Sequence, residues 1–387
     1  MLDNPYRRSL PWRLVLTVCL AALPLLADAG DPAGEVSEDE ADAAPEALAA
    51  LADTAAAGGG SHTLVLPILG YTPDTSVMLG ASVLRFFQLD PAVETSVFSP
   101  VLVYTVKKQT IFFLGTNLYW GRQRADIMPG YERFPDQFYG IGRDARKEDE
   151  EDYTPEKIEL RATWDYEIAS DVHLGANYHL LAHRLRKVTD GGLLDSGLVP
   201  GVERATLSGP GLQASLDSRD NIWSARSGLW LQGLVRFYGA TWGSDYRYAH
   251  YETDLRAYLP VGETSVLACQ VLATRHDGDA PFFTLPRLGG YDGLRGYRQS
   301  RYLDRTVVLA RVEWRSGEVL GRFGWVGFAG IGDVAPRPGL LTLAAELWTV
   351  GGGLRYTLDE RERVKLRLDV GFGNGDSGFY LAFGEAF

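Results

Sequence analysis

Over several long stretches the chain alternates apolar and polar residues with period two. From Ile158 to Ile168 the alternate positions are Ile158, Leu160, Ala162, Trp164, Tyr166 and Ile168, with Glu159, Arg161, Thr163, Asp165 and Glu167 between them. Period two is a strand signature, because successive side chains point to opposite faces. The same logic sets Glu252, Asp254 and Arg256 against Tyr251, Thr253, Leu255, Ala257 and Leu259, and Arg363, Lys365, Arg367 and Asp369 against Val364, Leu366, Leu368, Val370 and Phe372. In Thr306–Arg315 the residues Arg311, Glu313 and Arg315 alternate with Ala310, Val312 and Trp314. A soluble sheet would bury the apolar set; here every apolar residue has an ionic neighbour facing a second, polar compartment, which is how a transmembrane barrel strand reads. Strands of about 9–11 residues suffice to cross a bilayer at the usual tilt. Hydrocarbon satisfies no open sheet edge, so such strands must close on themselves. The expected fold is all-β, a closed antiparallel transmembrane β-barrel.

Composition agrees. Of 387 residues 23% are charged and 11% aromatic, and the body holds no apolar run long enough for a spanning helix. The 44 glycines and 19 tyrosines suit tight turns and interfacial aromatic girdles. Arg7, Arg8 and Arg13 precede an apolar run from Leu14 to Leu26, broken by Pro24 and followed by Ala27-Asp28-Ala29. This pattern predicts a cleaved secretory signal over residues 1–29 and export of the remainder. Cys19 follows Val18, a poor match to a lipoprotein cleavage box, and Cys269 is then the one cysteine of the mature chain, so no intramolecular disulfide is expected. Residues 30–60 carry eight acids, no base and no aromatic residue, the composition of a disordered acidic linker. Residues 61–387 are assigned to the barrel. With a net charge of −12 and a mildly acidic body, the chain has no nucleic-acid signature.

Three motifs follow one another in the second half. Asp217-Ser218-Arg219-Asp220-Asn221, with Gly228 beyond it, reads as a strand-opening turn; Leu294-Arg295-Gly296-Tyr297 puts an arginine beside a glycine; Ala310–Arg315 is the ionic strand. With them, residues 62–387 resemble the barrel domain of the BamA/TamA-type outer-membrane assembly and translocation superfamily, also called the bacterial surface antigen family. The resemblance implies sixteen strands and a sixth extracellular loop that folds back inside, its arginine held by acids on the barrel wall. A rigid guanidinium fork pairs bidentately with carboxylates, and confinement reduces screening. Glu313 faces inward by parity and is the first expected partner of Arg295, while Gly296 allows a tight turn. Where the family has Phe-x-Asp-x-Gly, this chain has Gly330 in place of the acid; Asp333, the second expected partner, lies on the opposite parity unless a bulge intervenes. Phe379, Leu381, Phe383 and Phe387 are placed on one face of a terminal strand, with Phe383 and Phe387 as the signal read by the barrel-assembly machinery, and Glu385 departs from that pattern. The implied partners are outer-membrane lipid and the assembly machinery during biogenesis; since residues 30–60 leave no room for the family's periplasmic transport-associated domains, assembly activity is expected to need either a separate periplasmic partner or direct insertion through the barrel seam.

Other chemistry finds little support. His179 and His183 are four residues apart, about 13 Å on a strand and too far for one ion, and Leu180 stands where a zincin glutamate would be. No metal and no cofactor is expected. The chain has neither a Gly-x-Ser-x-Gly elbow nor a phosphate-binding Gly-x4-Gly-Lys loop. The leading expectation is a non-enzymatic outer-membrane protein assisting insertion or transport of protein or lipid; the alternatives are a passive pore and a membrane-embedded lipid hydrolase.

Overall fold

The computed structural model describes residues 61–72, 76–91, 93, 96–106, 108–221, 224–342, 347–360 and 363–387. The expected signal peptide and acidic linker lie outside the described residues. The strands run β1 (His62–Thr72), β2 (Ser76–Phe87), β3 (Ser96–Thr105), β4 (Thr110–Trp120), β5 (Gln123–Arg133), β6 (Asp136–Phe138), β7 (Glu151–Ala169), β8 (Val172–Lys187) and β9 (Ala205–Asp217). They continue as β10 (Gly228–Tyr238), β11 (Tyr248–Val261), β12 (Ser265–Gly278), β13 (Thr306–Arg315), β14 (Phe323–Ala335), β15 (Leu347–Asp359), β16 (Val364–Gly373) and β17 (Asp376–Phe383). Each strand pairs antiparallel with its successor, except that β5 pairs with β7, and the three-residue β6 pairs only with the start of β7. The result is an antiparallel meander of sixteen long strands with one short appended strand.

The connections differ by end. At one end they run from two residues (121–122, between β4 and β5) to ten (218–227, between β9 and β10); at the other they include the long segments 134–150, 188–204 and 279–305. Gly121 takes the left-handed backbone that a two-residue hairpin turn requires (φ +52°). Short turns at one end and long loops at the other are the shape of an outer-membrane barrel.

Alternation places the side chains as the sequence pattern demands. Ile158, Trp164 and Ile168 are exposed on the apolar face of β7, while Asp165 is buried on the other face. β7 runs well beyond the expected Ile158–Ile168, because its first residues also find partners in β6 and β8. Arg363 was expected inside a strand; it stands instead in the turn before β16, with φ +57°, and pairs with Asp220 at 2.6 Å. On the polar face charges meet in pairs: Arg124 with Asp165 (2.8 Å), Arg219 with Asp217 (2.9 Å), and Arg256 with Asp254. A buried charge is tolerable only when it is paired and hydrogen-bonded, so these couples follow from the inward orientation.

Contacts between distant strands show that the sheet curls with this polar face inward. The 134–150 connection reaches the last strands through Arg143 to Asp333 (3.0 Å) and Lys147 to Asp376 (2.9 Å). At the opposite end, the Arg363–Asp220 pair joins the turn before β16 to the turn after β9.

Candidate functional site: an arginine-tipped loop on the charged wall

The connection 279–305 is anchored before it reaches its tip. Phe282 and Phe283 are buried in an apolar cluster with Tyr153, Leu207 and Tyr248, and Phe282 meets Phe138 edge-on at 5.3 Å between centroids. Further along, Leu288, Leu294 and Tyr297 pack with Val307, Leu309 and Val334 of β13 and β14. The tip is tied by its own backbone, with Leu294 N–H donating to Leu288 C=O (2.8 Å) and Gly290 N–H to Tyr297 C=O (3.1 Å). Gly290 and Gly296 sit at φ +106° and +118°, a region that glycine alone enters without strain.

Between these anchors Arg295 is 1% exposed. Its Nη1 donates to Asp369 Oδ2 at 2.5 Å and its Nη2 to Glu313 Oε1, so one guanidinium joins β16 to β13. The guanidinium also lies over the Phe328 ring, 3.5 Å from the centroid, and the Arg295 carbonyl accepts the Thr349 hydroxyl. Tyr380 clamps the following residues, its hydroxyl accepting from Gly296 N–H (2.9 Å) and donating to Tyr297 C=O (3.1 Å). The Tyr297 hydroxyl donates to Trp348 C=O (3.0 Å) and accepts from Asn374 N–H (2.8 Å).

So close a seat needs a wall without side chains. A Cβ at Gly371 would lie 2.6 Å from the Arg295 carbonyl, and one at Gly373 would lie 2.4 Å from the Tyr297 ring. These β16 glycines form the depression that receives the tip.

Both carboxylates are shared. Glu313 accepts Arg315 Nε (2.8 Å) through its second oxygen, and Asp369 accepts Arg355 Nη1 (2.5 Å) through its own. Arg355 Nε donates in turn to Glu385 (2.7 Å), which also takes Lys365 Nζ (3.2 Å). Burial alone would push the Glu385 carboxyl up, but Arg355, Arg315 and Lys365 hold it well below the usual carboxylate range. Arg311 donates to Gly293 C=O (2.9 Å) and to Gln270 (2.7 Å). Electrostatically the seat is a ladder of alternating charge, and chemically it holds and orients the loop; nothing in it resembles a nucleophile paired with a base.

The other expected site residues lie elsewhere. Asp333 was the second expected partner of Arg295; instead, it receives Arg143 (3.0 Å) and Thr342 N–H (2.8 Å) from two other connections. The strand register through β14 is regular, so Asp333 keeps the opposite parity to Gly330, and the second acid on Arg295 is Asp369. The Asp217–Asn221 motif builds a turn: Arg219 forks onto Asp217 with two contacts of 2.9 Å and stacks on Trp230, Asp220 caps Arg226 and Ser227 N–H, and Asn221 accepts from Ser224 N–H. His179 bonds Tyr238 (2.6 Å) and Glu159 (2.7 Å), whereas His183 stacks on Phe283.

The end of the chain requires a correction. Phe379 is exposed on the apolar face, but Phe387 does not share that face: β17 stops at Phe383, Gly384 turns the chain at φ +72°, and Phe387 is buried against Arg311 and Arg315. The side chain of Phe383 lies outside the described residues. The sequence reading also missed Asp369, Arg355 and Glu385 as members of the ladder, although Asp369 stood in a polar alternating set.

A model of the Omp85 superfamily domain matches residues 109–386, well over half of the chain. The chain belongs to the Omp85 superfamily. This agrees with the resemblance in the motifs and makes the protein an outer-membrane protein. No curated protein matches the sequence. Among solved structures, the Omp85 chain is similar to BamA from Haemophilus ducreyi lacking POTRA domains 1-3, with a TM-score of 0.58 and 12% identity over 84% of this chain and 69% of that one. It is also similar to CdiB from Acinetobacter baumannii (TM-score 0.54, 12% identity, 84% and 59%) and CdiB from Escherichia coli (0.55, 11%, 83% and 61%). The chain spans less than two thirds of either CdiB structure. At these identities the likeness is one of fold.

Proposed function

We propose that the curled sheet closes into a sixteen-stranded barrel whose charged face is the lumen, and that residues 279–305 are an extracellular loop folded into it. In this reading the Omp85 protein assists insertion or transport of protein or lipid at the outer membrane and catalyses no bond chemistry. The observation that carries the proposal is the seat of Arg295, shared between Glu313 and Asp369. A loop pinned across the wall occupies the space through which an open pore would conduct. Passage then requires the loop to move or a client to use the seam between β1 and β17, and β17 is the shortest of the long strands at eight residues.

The test is to reconstitute the full chain in liposomes and follow the folding of a urea-unfolded outer-membrane client by its heat-modifiable mobility. Several-fold faster client folding than in empty liposomes is expected, with the gain reduced by Arg295→Ala. Crosslinks from 64–67 and from 381–383 should capture that client. Unchanged client folding together with steady, solute-selective conductance of the intact protein would make it a passive pore instead. Turnover of phospholipid or lipopolysaccharide would make it a hydrolase.

A further inference from the structure

Residues 384–387 leave β17 through the left-handed Gly384 and run back along the charged face. The Gly384 N–H donates to Lys365 C=O (2.7 Å), fixing the start of this segment to β16. Glu385 is held by Arg355 and Lys365, and Arg315 Nε lies 3.8 Å from it. The main-chain oxygens of Ala386 and Phe387 accept from Arg311 Nη2 (3.4 Å) and Arg315 Nη2 (2.9 Å). Both guanidiniums lie over the Phe387 ring, 4.7 and 5.0 Å from its centroid, and the ring packs with Tyr258, Val266 and Ala268. The segment thus reaches from β17 to β11–β13 across the inner side of the sheet.

The side chains that hold this segment also hold the loop tip. Arg311 bonds Gly293 of the loop through Nη1 and Ala386 through Nη2. Glu313 takes Arg295 on one oxygen and, on the other, Arg315, which bonds Phe387. Asp369 takes Arg295 on one oxygen and, on the other, Arg355, which bonds Glu385. Three bridges therefore link loop and segment, each through one or two buried side chains.

We propose that residues 384–387 are an internal latch: they keep the arginine-tipped loop seated, and loop and latch are released together. The reason is a shortage of acceptors. Arg315 Nη1, Arg355 Nη2, Arg295 Nε and two nitrogens of Arg367 are buried without a hydrogen-bond partner among the described residues. Removing the Glu385 carboxylate leaves Arg355 with one acceptor fewer, and removing the Phe387 ring takes away the packing that holds the Phe387 main-chain oxygen on Arg315. Each then competes harder for Asp369 and Glu313, the two groups on which Arg295 depends, because a buried guanidinium without an acceptor is costly. In the proposed barrel the loop enters from the end with long connections and the latch from the end with short turns. The ladder thus couples the two mouths, and by linkage the coupling is reciprocal. The contacts stand apart from the transport reading, which supplies only the sidedness.

Hydrogen exchange read by mass spectrometry tests the latch, using the full chain in detergent micelles and variants whose folding is verified by heat-modifiable mobility. Glu385→Gln and Phe387→Ala should each speed exchange across 289–297 by about fivefold or more, the lower end of typical coupling. Arg295→Ala should speed exchange across 384–387 by a similar factor; if that variant does not fold, Arg295→Lys, which keeps the charge and loses the fork, takes its place. Arg143→Gln, which cuts an ion pair outside the ladder, should leave both segments unchanged. Faster exchange confined to whichever segment carries the substitution would overturn the latch. The measurement uses no client, so its failure is separable from failure of the client-folding assay.

Discussion

The inward faces of β3 and β13 make opposite choices. In β3 that face is Val97, Ser99, Val101, Val103 and Thr105, with no charge; in β13 it includes Arg311, Glu313 and Arg315. The polar groups of β3 are satisfied nearby, Ser99 by Gly115 C=O on the adjacent strand (3.2 Å) and Thr105 by Gln109 (2.8 Å). The charges of β13 draw partners from the loop tip and from the segment after β17. The two strands teach that an uncharged wall only needs neighbours, whereas a charged wall dictates where distant parts of the chain must come to rest. Burying an ion makes its partner obligatory, and with a rigid guanidinium fork it fixes the geometry too.

The largest effect should come from Arg295→Ala, which takes one of two hydrogen-bonded guanidinium partners from each of two buried carboxylates and should cost about 3–5 kcal/mol, the usual loss when one member of a buried pair is removed. A fall in the urea midpoint of the folded protein checks it. Gly371→Val should come next, at about 1–3 kcal/mol for overpacking, because its side chain would occupy the position of the Arg295 backbone. Tryptic cleavage after Arg298, whose side chain is exposed, should accelerate in that variant. Ser99→Ala in β3 should cost only about 1 kcal/mol, a single net hydrogen bond, and leave cleavage after Arg298 unchanged. Equal losses for Ser99→Ala and Arg295→Ala would erase the contrast between the two walls.

The smallest effect expected is that of mild acid. Glu385 is faced by Arg355 from β15, Lys365 from β16 and Arg315 from β13, with the carboxylates of Glu313 and Asp369 one step further along the ladder. Its carboxyl is held below its ordinary range, so its contribution is complete above that range and is lost only as pH falls through the lower folded value. Moving from pH 7 to pH 5 should therefore leave the protection of residues 384–387 intact once intrinsic exchange is corrected. Release already at pH 5 would place the carboxylate outside the ladder.

Much of this was legible in the sequence, for identifiable reasons. Period-two alternation assigns faces directly, which is why Arg311, Glu313 and Arg315 fall on one side of a strand. Parity gives a facing direction but not which strands approach each other across a curl. Asp333 was the expected second partner, and Asp369 takes that place because β16 approaches the loop tip, which alternation along a single strand does not encode. Phe387 was misplaced because the alternation was carried through Gly384, where a left-handed residue ends the strand. In a chain with 44 glycines such a turn has no distinguishing mark.

The glycine depression in β16 also makes the seated loop a report on assembly. Arg295 precedes Asp369 by 74 residues, and Gly371 and Gly373 come later still. The seat is built from β13 and β16 together, one acid from each. Neither strand alone can receive the loop tip, whatever the order in which they pair. A seated loop therefore certifies that the wall from β13 to β16 is complete.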